Sequence, residues 1–332
     1  MAVWNPQGVT IPDTPAPQLT LNNGLKIPIL GLGTWQAKPG EVGRAVEDAL
    51  DIGYRHLDCA LLYDNEAEIG EAIKKKIAQG VITRRDLFIT SKLPPAANDP
   101  ASVRGTVEIS LKALKIQYID LYLIHCPVSI RKEEWQKLES AERFAKPAHP
   151  AQYFNDVDPL TVWKEMENLV DDGLVKSIGL SNFSIPQIQR ILDHGRIKPA
   201  NIQVECHAHF PQDDIWAFCR KNSIILSAYA PIGSPARFGS AGSPGDLLKE
   251  PQLTVIGKKH RKTPAQVLLR WLIERDIVAL PKSTHQNRLR ENFEIFDFKL
   301  SQEEMQIINS LQEHGRRLFD FEMWKDAPNY PF

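Results

Sequence analysis

The chain has 332 residues, of which 40 are Lys or Arg and 41 are Asp or Glu, a formal charge of −1. This balance leaves no global electrostatic case for a nucleic acid or an anionic membrane as partner, and no stretch approaches the roughly 20 apolar residues of a membrane span. The four cysteines, Cys59, Cys126, Cys206 and Cys219, form no CxxC pair and read as reduced thiols of a cytoplasmic chain.

Residues 1–17 hold four prolines and neither a signal-peptide apolar run nor an Arg-rich amphipathic pattern, which predicts an extended tail. In LTLNNGLKIPIL, Asn23-Gly24 between two apolar runs predicts a hairpin with a two-residue turn. The pattern then alternates. Strands are expected at 29–34, 54–58, 86–92, 119–125, 175–181, 200–205, 223–230 and 277–281. Amphipathic helices are expected at 41–52, 65–78, 101–115, 159–172, 185–193, 212–222 and in the stretch ending near Glu274, with 128–158 as a long polar loop.

Eight short apolar strands alternating with helices, without a linker of domain-boundary composition, predict an α/β chain. The expected fold is a single (β/α)8 TIM barrel over 18–332, with an N-terminal β-hairpin and long loops at the C-terminal face. An open doubly wound sheet would announce a dinucleotide site with GxGxxG, but GLGTWQ has Gln36 at the third glycine's place.

In a barrel the strands' C-terminal ends share one face, however far apart they lie in sequence. The second strand ends at Asp58 with Tyr63 in its loop, the third at Lys92 and the fourth at His125. Each alone has a structural explanation; together they form a working set. A phenol with an ordinary pKa of about 10 needs help to exchange a proton near neutrality. A nearby ammonium favours the phenolate and a carboxylate holds the ammonium. Tyr63 is therefore the candidate general acid, Lys92 tunes it, Asp58 orients Lys92, and His125 hydrogen-bonds a substrate oxygen.

With GLGTWQ, GYRHLDCALLYDNE, ITSKL, DLYLIHCP, GLSNF, IQVECH, AYAPIGSP and PKSTHQNRLRENF in order, the chain resembles the aldo-keto reductase family from about Gln18 to Asn309. The resemblance implies reduction of a small-molecule aldehyde or ketone by hydride from NADPH, with Asp58, Tyr63, Lys92 and His125 as the catalytic four; the balanced charge, with no heptad seam or long apolar edge, predicts a monomer. A nicotinamide-binding regulatory relative with little turnover is the alternative.

Ser181, Asn182 and Gln203 present neutral groups suited to a carboxamide, and Ser184 with Pro186 and Gln187 supplies a capping box that frees the first two. Tyr229 offers a flat face that in the family stacks on nicotinamide. Gly233-Ser234 after Pro231 is a tight loop for a pyrophosphate. Lys282, Ser283 and Thr284 at a helix start, with Arg288 one turn on, suit a 2′-phosphate. No carboxylate stands where a free ribose diol would be read, which favours NADPH over NADH. The resemblance adds Gly33, Thr34, Trp35 and Asp58 to the cofactor side and Glu291 and Asn292 near the adenine.

For the substrate the expected contacts are Trp35, Tyr63, His125, Cys126 and Trp324. Cys126 stands where many relatives carry Trp, and Pro94 where an aromatic is common. Aromatics at Trp135, Phe144, Tyr153, Phe154, Phe319, Phe321, Tyr330 and Phe332 imply an apolar pocket. Some relatives latch the loop after strand seven over the pyrophosphate with an ion pair. Here Ala236 and Gln36 stand at those places, Arg237 is the substitute contact, and Gly239, Gly242 and Gly245 loosen the loop. His207-x-His209 is a metal-ligand spacing, yet it lacks further strand-end ligands, so no metal is expected.

Overall fold

The computed structural model describes residues 16–138, 149–235, 246–315 and 317–332. Strands β1 (Gln18–Thr20) and β2 (Lys26–Pro28) form the antiparallel hairpin. Its turn differs from the expected one. Gly24 has φ +86° while Asn23 is not left-handed, and Gly24 N donates to Leu21 O at 2.9 Å. Asn22-Asn23 are thus the turn's centre and Gly24 the left-handed residue after it, a longer connection than a two-residue turn. Leu21 and Ile27 then pack on Phe88, Leu121, Ala200 and Val278 at the strands' starts, so the hairpin plugs the N-terminal end of the barrel.

The alternation follows. Strand β3 (Leu32–Gly33) leads to α1 (Val42–Ile52), β4 (His56–Asp58) to α2 (Glu66–Ala78), and β5 (Phe88–Leu93) to α3 (Val103–Leu114). After β6 (Leu121–Ile124), the stretch expected as polar loop contains a two-residue strand β7 (Ser129–Ile130), a short helix α4 (Lys132–Gln136) and β8 (Phe154–Asn155), paired antiparallel with β7. Next come α5 (Pro159–Asp171), β9 (Ile178–Ser181), α6 (Ile185–His194), β10 (Asn201–Glu205), α7 (Asp213–Lys221) and β11 (Ile225–Tyr229). Helices α8 (Pro251–His260) and α9 (Pro264–Ile273), strand β12 (Val278–Leu280), and helices α10 (Gln286–Phe293) and α11 (Gln302–Ser310) complete the order.

The eight strands from β3 to β12, apart from β7 and β8, pair parallel in sequence order. Bridges Leu30↔Ala279 and Gly33↔Lys282 join last to first and close the sheet. Helices cover the outside and side chains fill the inside, so the strands read as continuous apolar runs rather than alternating ones. The observed strands are shorter than the apolar runs because the backbone leaves the ladder where it turns, as at Asn182 (φ +59°) and Ala230 (φ +50°). The capping box expected at Ser184 and Gln187 opens α6.

Candidate active site

Asp58 ends β4, and a 3-10 turn, Leu61–Tyr63, carries the chain onward so that Tyr63 faces back over the barrel mouth. Lys92 lies one residue before the end of β5, and His125 follows β6. Lys92 is fully buried. Its Nζ donates to Asp58 Oδ2 at 2.8 Å, to the Cys59 carbonyl at 2.9 Å and to Tyr63 Oη at 3.2 Å. The ring of His125 stands edge-on to Tyr63 at 5.7 Å and 76°. The four residues expected to act together are together.

Burial works against the Lys92 ammonium, but the Asp58 carboxylate and the Tyr63 oxygen outweigh it and hold the group charged, above the ordinary lysine range. For Tyr63 the outcome differs from the sequence expectation. Loss of water raises the phenol to about 12, and the pull of Lys92 only partly offsets this. The phenol is therefore protonated at neutral pH. Burial, then the Lys92 charge, push His125 well below its ordinary value and keep its ring neutral.

Gln203, in the middle of β10, donates to Asp58 Oδ1 at 2.7 Å. Thr34 donates to the Asp58 carbonyl at 2.8 Å, and Asn65 to the Thr34 carbonyl at 2.9 Å. Gly33 pairs with Asp58 across the sheet. On the far side Asn182 donates to the His125 carbonyl at 2.9 Å and to Ser181 Oγ at 3.1 Å, and accepts from Tyr229 Oη at 2.8 Å. Tyr229, Asn182 and Ser181 thus form one hydrogen-bonded row, tied to β10 by Asn182 N, which donates to the Gln203 carbonyl at 3.0 Å.

Pro231 is buried in the bend after β11, with Gly233 (φ +77°) and Ser234 (φ +49°) both left-handed. Ala236, Arg237, Gly239, Gly242 and Gly245 lie outside the described residues, as do Phe144 and residues 1–15. Lys282 reaches across the closing seam, its Nζ 3.4 Å from the Gln36 carbonyl. Ser283 Oγ accepts from His285 N at 3.1 Å, and Thr284 precedes His285, which starts α10 without a side-chain cap. Arg288 is exposed one turn along. A cation, two hydroxyls and an uncapped helix N-terminus suit a phosphate dianion. Asn292 is buried, and Glu291 accepts from Thr263 Oγ1 at 2.7 Å, tethering α10 to the start of α9.

Cys126 and Trp324 are both buried in one apolar cluster with Leu62, Val128, Trp135 and Phe154, against which Tyr63 and Phe321 pack. This cluster joins the β7–β8 ladder to the C-terminal segment. Asn98 fixes the ladder's approach by donating to the Cys126 and Val128 carbonyls, both at 3.0 Å. Trp35 sits 6.5 Å from Tyr63 and 5.7 Å from Phe319, ring to ring.

The histidine pair after β10 is engaged elsewhere: His207 Nε2 contacts Glu205 at 2.8 Å and His209 Nε2 contacts Glu250 at 2.7 Å. Among the described residues no group of three His, Cys, Asp or Glu side chains is placed to hold a metal ion. Sequence reasoning passed over the Gln203–Asp58 contact, Asn98 and Glu205. The last closes an apolar run, IQVE, which marks a carboxylate at a strand end but not the segment it binds.

The profile of the Aldo/keto reductase family matches residues 29–313. The chain is 41% identical over 323 residues to aldo-keto reductase family 1 member A1 of Gallus gallus, covering 95% of this chain and 97% of that protein. The structure of the aldose reductase from Schistosoma japonicum superposes with a TM-score of 0.85 at 45% identity, covering 95% of this chain and 98% of that one. A Bombyx mori aldo-keto reductase in complex with NADP gives a TM-score of 0.86 at 37% identity, over 96% of this chain and 100% of that one.

Proposed function

The chain belongs to the aldo/keto reductase family, and we propose that Tyr63 is the proton donor in the NADPH-dependent carbonyl reduction that it carries out. The observation that carries this assignment is the buried Lys92 ammonium, which bonds Asp58 on one side and Tyr63 on the other. NADPH, when bound, supplies a hydride to the carbonyl carbon. The Tyr63 hydroxyl gives its proton to the carbonyl oxygen, so aldehyde or ketone becomes alcohol. Lys92, held charged by Asp58, stabilises the phenolate left behind. Neutral His125 orients the carbonyl oxygen by hydrogen bonding beside the phenol.

On the same reading, Ser181, Asn182, Gln203 and Tyr229 hold the nicotinamide end, with Gly33, Thr34 and Trp35 beside it. Pro231, Gly233 and Ser234 border the pyrophosphate. Lys282, Ser283, Thr284 and Arg288 hold the 2′-phosphate, and Glu291 and Asn292 flank the adenine. Trp35, Tyr63, His125, Cys126 and Trp324 line the carbonyl's pocket, whose aromatic walls favour apolar substrates. The chain works as a monomer in the cytoplasm: among the described residues the exposed large apolar ones, Ile77, Ile109, Val255 and Phe332, sit on four separate segments, and the four cysteines are unpaired.

Tyr63→Phe removes one hydroxyl at the mouth. Carbonyl-dependent NADPH oxidation should fall by about 10² to 10⁴, with NADPH still bound as judged by fluorescence titration. Near-normal turnover in that variant would assign the proton to another group.

A further inference from the structure

A carboxylate that no part of the reaction above uses sits at the C-terminal end of β10, against the C-terminal segment. Glu205, the last residue of β10, is completely buried. Its Oε1 accepts from Leu318 N at 2.7 Å and from His207 Nε2 at 2.8 Å, and its Oε2 accepts from Phe319 N at 2.8 Å. Two consecutive main-chain N–H groups of the C-terminal segment thus close on the two oxygens of one carboxylate, 113 and 114 residues away in sequence.

A buried carboxylate is tolerated only when its hydrogen-bonding capacity is met, and lifting the segment away would strand the charge. The same segment is pressed home a few residues earlier, where Gly315 approaches His209 so closely that a Cβ would collide with the His209 Cβ and carbonyl. Arg317, between the two contacts, lies over the rings of Phe332 at 3.5 Å and Phe210 at 4.7 Å. The consequence of this seating is the position of the half-buried Phe319 ring, edge-on to Tyr229 at 5.4 Å and 83° and to Trp35 at 5.7 Å and 63°. Phe319 therefore spans the seam between the expected nicotinamide-stacking ring and the expected substrate wall.

We propose that Glu205 is a positioning residue for carbonyl binding: by gripping the Leu318 and Phe319 N–H groups at a rigid strand end, it fixes the Phe319 ring as the wall that orients planar, apolar carbonyl substrates. The inference rests on the carbonyl reduction proposed above. Gln at position 205 has the same shape but turns one acceptor into a donor facing an N–H group, which breaks the grip on one of the two residues.

The test is steady-state reduction of 4-nitrobenzaldehyde by NADPH in wild type, Glu205→Gln, Phe319→Ala and the double variant. Each single change should raise KM about tenfold, with kcat altered far less, because a displaced wall weakens binding without touching the proton donor. The double variant should be no worse than Phe319→Ala alone, since a residue that acts through Phe319 has nothing to position once the ring is gone. Additive KM effects, or a kcat loss without a KM change, would overturn the inference. If Glu205→Gln does not fold, Glu205→Asp, which keeps both acceptors but shortens their reach by one methylene, takes its place with the same expected KM, and a wild-type KM in Phe319→Ala sinks the inference in either case. An absence of carbonyl-dependent turnover in wild type would instead remove the functional reading, and this inference with it.

Discussion

Gln203 and Asp58 are 145 residues apart in sequence and 2.7 Å apart in the barrel mouth, with the Gln203 amide donating to the carboxylate oxygen that Lys92 leaves free. Both oxygens of the buried Asp58 are thereby used, one from β5 and one from β10, and the carboxylate cannot rotate away from the lysine. Gln203→Leu leaves Oδ1 without that donor. The loss of stability should be about 1–3 kcal/mol, read from urea unfolding, with weaker NADPH binding alongside. An unchanged unfolding midpoint would show that the contact contributes nothing.

Asp58→Asn removes the counter-charge of a fully buried ammonium. Breaking a buried pair from one side typically costs about 3–5 kcal/mol, and the proton affinity of Lys92 should fall because its largest support is gone. Unfolding should shift to lower denaturant, and carbonyl reduction should fall even in the fraction that stays folded. A variant of wild-type stability would mean that Lys92 is stabilised from elsewhere.

Lys282→Met and Arg288→Ala should each weaken NADPH far more than NADH, because each removes a charge-assisted bond of about 1.5–3 kcal/mol to the 2′-phosphate. Binding titrations with both cofactors separate the outcomes. Equal losses for the two would assign these residues to structure.

His56 is buried between the Pro28 carbonyl and Thr90, and burial lowers its pKa from the ordinary 6.5 to about 4, against the opposing pull of Asp58. The unfolded chain therefore takes up this proton first as pH falls. The stabilisation from a neutral His56 is fully present above about pH 6.5 and is lost as pH drops through about 4, amounting to about 3 kcal/mol. Urea midpoints compared between pH 7.5 and pH 4.5 should fall more steeply for wild type than for His56→Gln. Parallel slopes would remove His56 as a contributor.

The alternation of strands and helices was legible because a parallel barrel buries both faces of each strand, so every strand announces itself as a short apolar run. Asp58, Lys92 and His125 could be placed on one face from sequence, since in this fold the end of a strand is a spatial address. The β7–β8 ladder was not legible: two residues per strand carry no period. The hairpin was recognised but its turn was misassigned, because Asn-Gly serves equally as the centre of a short turn or as the exit of a longer one.

What the sequence determined by itself is the set of groups: an acid, a phenol, an ammonium and an imidazole at consecutive strand ends, and a cationic helix start for a phosphate. Tertiary structure decided what those groups are like. The depth of Tyr63 sets its proton affinity, since desolvation outweighs the neighbouring Lys92 charge. Only the folded chain shows Glu205 turning from a residue of strand β10 into the seat of the C-terminal segment. Proton affinity and long-range grip depend on exclusion of water and on closures across more than a hundred residues, and neither leaves a local pattern in the chain.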